Sequence, residues 1–393
     1  MTVRTITVDE RRARLTFRHR LTGERRTNHV VQICGDLVGF HSSDPTTVYL
    51  SAAARMSTPT IEAVQTALYV DRSLVRHHAM RRTLWVHPIS QALVAHAATT
   101  TRYVNSERTR FVKMLEQDGG LTDGADWITR ATHLVVDTLA SRPGLSTRQL
   151  GEILPELSVS LVLARGKSYQ ATQSALSRLM LQLGFEGIVA RTEPTGSWIN
   201  SQYRWELMEG WLQEGWTAVD PVEARRLLVM CWLKSYGPGS ERDIAWWTGL
   251  PLGLTRSALI DCSAVRVEFE GEPLWIDPDD QEFMPPMDVS AALLPGLDPT
   301  TMGWKERDWY LDPEDAKLLF DSAGNGGPMI WVDGKIVGGW AQGGDGSVRL
   351  HFTRDVGTEA IARVEGRAHA LETLWGENKF KVRFPAPLQK ILL

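Results

Sequence analysis

The chain has 393 residues, 43% of them hydrophobic and 23% charged, with 43 Lys and Arg against 47 Asp and Glu and a formal net charge of −4. Such values describe a folded protein of two to four domains and exclude a collagen, a disordered tail and a disulfide scaffold. No apolar run approaches the roughly 18 residues of a membrane span, and the polar, Arg-rich start does not read as a secretion signal, so a cytoplasmic protein is expected. Cys34, Cys231 and Cys262 lie far apart, without CxxC spacing, and read as reduced, buried thiols. Charge is uneven: residues 1–113 hold 17 Lys and Arg against 8 Asp and Glu, leaving 26 against 39 elsewhere. A basic first third, with Arg4, Arg11, Arg12, Arg14, Arg18, Arg20, Arg25 and Arg26, fits contact with a polyanion and equally a solvated helix face.

In chain order, helices are expected at about 27–38, 45–56 and 60–70, followed by an extended stretch, His77–Val86. Val30, Ile33, Cys34 and Leu37 mark the apolar stripe of the first helix. Between the first two helices lies Gly39-Phe40-His41-Ser42-Ser43-Asp44-Pro45. Asp44 suits an N-cap and Pro45 the first helical turn, where a missing N–H costs nothing. His41 and Ser43 therefore sit against a helix N-terminus, where an imidazole beside a hydroxyl can orient or deprotonate water. A helix-ending His and a capping Ser without chemistry explain the same pattern.

Residues 146–206 repeat the order. Ser146 and Thr147 cap a short helix containing Leu150 and Leu154, and a second helix is expected from about Tyr169 to Leu183, ended by Gly184. Phe185–Arg191 and Trp198–Trp205 read as strands around the turn Pro194-Thr195-Gly196-Ser197. Helix, helix, then hairpin is the order of a winged-helix unit. It recurs once more: helices at Val222–Tyr236, after Ser240 and at Leu254–Asp261 precede strands Arg266–Phe269 and Leu274–Ile276. Residues 281–311, with Pro285, Pro286, Pro295 and Pro299, read as a connector. Beyond it come a hairpin, Met329–Val332 and Ile336–Trp340 around Asp333-Gly334, a strand Ser347–Thr353, a helix Thr358–Trp375 and a last strand Phe380–Phe384. The fold class is thus α+β: three tandem winged-helix domains and a C-terminal β-barrel-like domain. The expected divisions are 1–113, 114–218, 219–280 and 281–393.

Several stretches, in this order along the chain, carry a family resemblance. They are Gly39–Pro45, Ala79-Met80-Arg81-Arg82-Thr83-Leu84, Gly196-Ser197-Trp198 with Tyr203-Arg204-Trp205, Asp243–Gly249, Leu293–Pro299 and Val332-Asp333-Gly334-Lys335. The chain resembles the AlkZ/YcaQ-type DNA glycosylases, a bacterial family of three winged helices and a barrel. In that family the junction carries Gln-x-Gln or Gln-x-Asp, whose side chains position the attacking water. Here His41 and Ser43 stand in those places, a departure from both patterns.

The resemblance implies hydrolysis of the N-glycosidic bond of alkylated purines, with bulky toxin adducts and interstrand crosslinks as further substrates. The reaction passes through an oxocarbenium-like sugar. A cationic N7- or N3-alkylated base leaves readily, so a placed water matters more than a strong acid. His41, Ser43 and Asp44 are the expected catalytic residues. Arg81, Arg82, Arg204, Arg18 and Arg20 are the expected phosphate contacts. Trp198, Tyr203, Trp205 and the Trp246-Trp247 pair read as core. His77-His78, pointing to opposite faces of a strand, do not read as a metal site. The expected partner is double-stranded DNA containing alkylated purines, met by a nucleoid-associated monomer without metal or organic cofactor. A winged-helix regulator or lesion sensor without catalysis is the alternative; a toxin-sequestering protein is a third.

Overall fold

A computed structural model describes residues 3–167, 170–212, 216–287 and 289–393. It is a mixed α/β protein of many helices and small open sheets.

One topology occurs three times. In the first unit, helix Val30–Asp36, short strand Phe40–His41, helices Pro45–Ala53 and Ile61–Gln65 and a π-helical turn Thr66–Val70 lead into strands Leu74–His78 and Leu84–Pro88. The short strand pairs antiparallel with the second strand of the hairpin, Phe40 opposite Val86 and His41 opposite Trp85. In the second unit, Leu145–Ser146 pairs in the same way with Tyr203–Leu207, whose other neighbour is Val189–Pro194. In the third, a single bridge from Gly239 to Trp275 takes the place of the short strand beside Val265–Phe269 and Glu272–Ile276.

Local chemistry explains the helix starts. Asp44, Ser146, Asp220 and Ser240 each accept from backbone N–H groups of the first turn, and Ser146 and Ser240 form reciprocal capping boxes with Gln149 and Asp243. Elsewhere the structure corrects the sequence reading. The second helix of the second unit begins at Ala175, after a strand Ala171–Ser174 that pairs with Ser160–Leu163; Tyr169 lies outside the described residues. Phe185 ends that helix rather than opening a strand. The stretch His77–Val86 is two strands, because Arg81 (φ 54°) and Arg82 (φ 60°) take left-handed backbone conformations and reverse the chain. The connector contains strand Ala291–Leu294, which joins the C-terminal sheet. That sheet has four strands and is open, so a closed barrel does not form. Residues 380–384 form no strand: the backbone N–H of Phe380 goes to the Gln342 side chain and that of Arg383 to Asp44, which leaves no ladder for them to join.

The cores cross the sequence order. Residues between Phe111 and Trp205 bury a core of their own, whereas the first third shares its cores with the third unit and the C-terminal sheet. Arg4–Thr5 pairs in parallel with Val265–Phe269, and helix Thr101–Gln117 spans the expected division at 113.

This crossing, together with acids of the first third itself, absorbs part of the N-terminal positive charge. Arg14 meets Glu10 and Asp280, Arg18 meets Asp280, Arg20 meets Asp36, and Arg55 meets Asp298. Arg11 lies buried under the ring of Trp309, 4.1 Å away. Carboxylates from the acidic part of the chain thus neutralise part of its basic start. Cys34 and Cys262 are buried, and Cys231 is half-buried.

Candidate active site

The junction between helices Val30–Asp36 and Pro45–Ala53 is held on three sides. Gly39 enters it at φ +102°, and a Cβ there would lie 2.5 Å from His87 Nε2. The Ser42 amide donates to Leu84 O at 2.7 Å, and its hydroxyl accepts from Arg76 Nε at 2.9 Å. From the C-terminal part of the chain, Thr47 donates to Gly296 O, Ser51 to Asp298, and Arg383 Nη1 to Ser43 O.

His41 is 4% exposed, its ring 5.0 Å from that of Trp85. Its Nδ1 accepts the Ser43 amide at 3.3 Å, which assigns the proton to Nε2. Burial, with the Arg81 cation adding to it, pushes the imidazole down to about 3, so the ring is neutral at pH 7. Asp44 is also buried. One of its oxygens accepts from Thr46 N and Oγ1, the other from the Arg383 amide. Both are occupied by capping and cross-chain bonds, so Asp44 fixes the turn and presents no free carboxylate to the cleft.

Ser43 differs from both: half-buried, it lines a cleft of about 350 Å³ with Ser42, His78, Arg82, Arg191, Tyr203 and Arg383. Three guanidinium groups converge here, and no carboxylate is among the described lining residues. Arg191, Ser201 and Tyr203 also line a larger groove of about 790 Å³ that extends along the second unit past Arg148. Cations with no lining acid suit a polyanion.

The expected phosphate contacts separate. Arg82 lines the cleft with its side chain 48% exposed, while pairing with Glu107. Arg81 turns the other way, over the Trp246 ring at 4.2 Å, and burial lowers it to about 10. Arg204 donates to Gly144 O. Arg18 and Arg20 are engaged by Asp280 and Asp36 and do not reach the cleft. Trp198 packs between Tyr49 and Phe380, Tyr203 under the Arg76 guanidinium, and Trp247 is fully buried. Tyr203 and Trp205 are buried yet also line the large groove.

Sequence reading missed Arg191, Arg383 and His78. No pattern marks Arg191. Arg383 stands in Lys-x-Lys-x-Arg, a signal available from the sequence. His78 Nδ1 lies 3.4 Å from Arg191 Nη1, and burial holds the imidazole well below its usual range, as a neutral acceptor.

A family model described as "DNA glycosylase AlkZ-like" matches residues 34–374. The chain belongs to this family, and its class is that of a DNA-repair glycosylase. Among solved structures, the Streptomyces sahachiroi DNA glycosylase AlkZ is similar, with a TM-score of 0.73 and 19% identity over 97% of this chain and 99% of that one. At that identity the likeness is one of fold. Comparison with curated proteins gives no match.

Proposed function

We propose that the chain hydrolyses the N-glycosidic bond of cationic N7- or N3-alkylated purines in duplex DNA, as a monofunctional glycosylase with water as nucleophile. It acts as a cytoplasmic monomer on nucleoid DNA, without metal or organic cofactor. The three repeated units are winged helices, divided near 113, 218 and 280, with residues 281–393 as the fourth domain. The observation that carries the reading is Ser43 in a cleft lined by Arg82, Arg191 and Arg383, with a neutral His41 that accepts its backbone N–H.

The base leaves with the bonding electrons and becomes neutral, so no strong acid is required. Water adds to C1′ of the sugar cation and loses its proton through the Ser43 hydroxyl to solvent. His41 holds the Ser43 backbone through Nδ1 and offers Nε2–H as a donor that orients the water. Asp44 keeps the turn in register. Arg82 and Arg204, joined by Arg191, take phosphate contacts, and Arg81 supports the turn that carries Arg82. The open cleft and its long continuation suit bulky adducts and crosslinks, which do not fit a snug base pocket.

One observation favours a second reading, a DNA-binding lesion sensor without catalysis: His41 is only 4% exposed and both Asp44 oxygens are occupied. One assay separates them. Protein is incubated with an N7-methylated duplex, which is then heated in alkali. Strand scission at the lesion supports the glycosylase; tight binding without scission supports the sensor.

A further inference from the structure

The chain from Asn378 to Ala386 belongs to no sheet, yet it is firmly placed. Gln342 brackets it, accepting from Phe380 N and donating to Asn378 O, both at 3.0 Å. The Phe380 ring packs 5.5 Å from Trp375 and 5.9 Å from Trp198. At the other end the Arg383 amide donates to Asp44, and the Arg383 guanidinium to Ser43 O.

Exposure alternates along this segment. Phe380, Val382 and Phe384 are half-buried, while Lys379, Lys381 and Arg383 are exposed. Among the described residues none of these three cations has an ion-pair partner, although Lys379 donates to Gly344 O. No Asp or Glu occurs between 378 and 386. In extended chain, residues two apart stand about 6.6 Å apart on one side. The row of charge ends at Arg383 and Phe384, which line the same cleft as Ser43.

We propose that Lys379, Lys381 and Arg383 form a phosphate track that carries the sugar–phosphate backbone of duplex DNA from the C-terminal domain into the cleft. An unneutralised row of cations, anchored by buried aromatic rings and continuous with the cleft, is laid out for a polymer with regularly spaced negative charge. The inference rests on DNA as the substrate and not on base release. Arg383 is the last contact of the track and the tie that joins it to Ser43 and Asp44.

The test is fluorescence anisotropy of full-length protein on an undamaged duplex and on an N7-methylated one, across a salt series. Each phosphate contact contributes about 0.9 to the slope of log affinity against log salt. The Lys379→Ala/Lys381→Ala variant should therefore lose about 1.8 of that slope, equally on both duplexes. Lys381→Arg should keep the wild-type slope. Both side chains are exposed, so the melting temperature should not move. A wild-type slope in the double variant would overturn the track and leave a solvated face. So would unchanged DNA binding with lost binding to phosphatidylserine vesicles. If wild-type protein releases no base but the slope falls as expected, the glycosylase reading fails and the track stands.

Discussion

Arg55 and Asp298 form a two-pronged ion pair, Nη2 to Oδ1 at 2.7 Å and Nη1 to Oδ2 at 2.9 Å, with neither side chain exposed. It joins the end of helix Pro45–Ala53 to the Leu293–Pro299 stretch, 243 residues later. The same guanidinium donates to Thr300 Oγ1 and to the carbonyls of His19 and Ser51. The helix whose N-terminus carries the candidate catalytic junction is thus clamped at its far end by the C-terminal part of the chain.

Breaking this pair from one side leaves a buried charge without its counter-ion, at a cost of about 3–5 kcal/mol. Asp298→Ala should lower the unfolding free energy from urea melts by that amount, seen as a lower midpoint at an unchanged denaturant slope. A loss below 1 kcal/mol would show that water enters to solvate Arg55.

His41 tests the chemistry. His41→Ala should abolish release of 7-methylguanine while DNA affinity stays within a few-fold of wild type, and Ser43→Ala should slow release by roughly 10²–10⁴-fold. Because His41 is already neutral well above pH 3, single-turnover release should show no limb near pH 6.5. Undiminished release in His41→Ala would remove the imidazole from the mechanism.

Six buried histidines, His19, His41, His77, His78, His87 and His96, all have their proton affinity lowered, chiefly by burial. Below about pH 6.5 the unfolded chain takes up protons that the folded chain refuses, so stability must fall as pH drops from there toward about 3. Each group adds a slope of up to about 1.4 kcal/mol per pH unit. The melting temperature should be level from pH 7 to 8 and drop steeply between pH 6.5 and 5. A level profile through pH 5 would place these imidazoles in contact with water.

Gly39 combines a left-handed φ of +102° with a site where a Cβ would meet His87 Nε2 at 2.5 Å; Gly120, at φ +72°, faces open space. Gly39→Ala should cost about 2–6 kcal/mol, strain and overpacking together, and Gly120→Ala about 1–3 kcal/mol from strain alone. Equal losses in thermal melts would show that His87 swings aside.

Much of the fold was legible because its signals are local. Asp44-Pro45 announces a helix start through one side-chain oxygen and one fixed φ. Asp333-Gly334 forces a hairpin, and the apolar stripe of Thr358–Trp375 matches a helical face. Strand Ala291–Leu294 was missed because its proline-rich flanks look like linker, and only pairing with Met329–Val332 makes it a strand. Phe380–Phe384 has the alternation of a strand, but its backbone N–H groups at 380 and 383 go to the Gln342 and Asp44 side chains instead of a ladder.

For the candidate site, the sequence alone determined that His41, Ser43 and Asp44 stand at the mouth of helix Pro45–Ala53. Only the tertiary structure decided which charges remain available. Arg18, Arg20 and Arg81 look the same as Arg82 in a string of letters; Asp280, Asp36 and the Trp246 ring hold the first three away from the cleft, whereas Arg82, though paired with Glu107, lines it. Arg383, some 340 residues from the junction, comes to rest on Ser43 and Asp44. The physical reason is range: caps and turns act over three or four residues, whereas pairing and burial of charge depend on which distant segments the shared cores bring together.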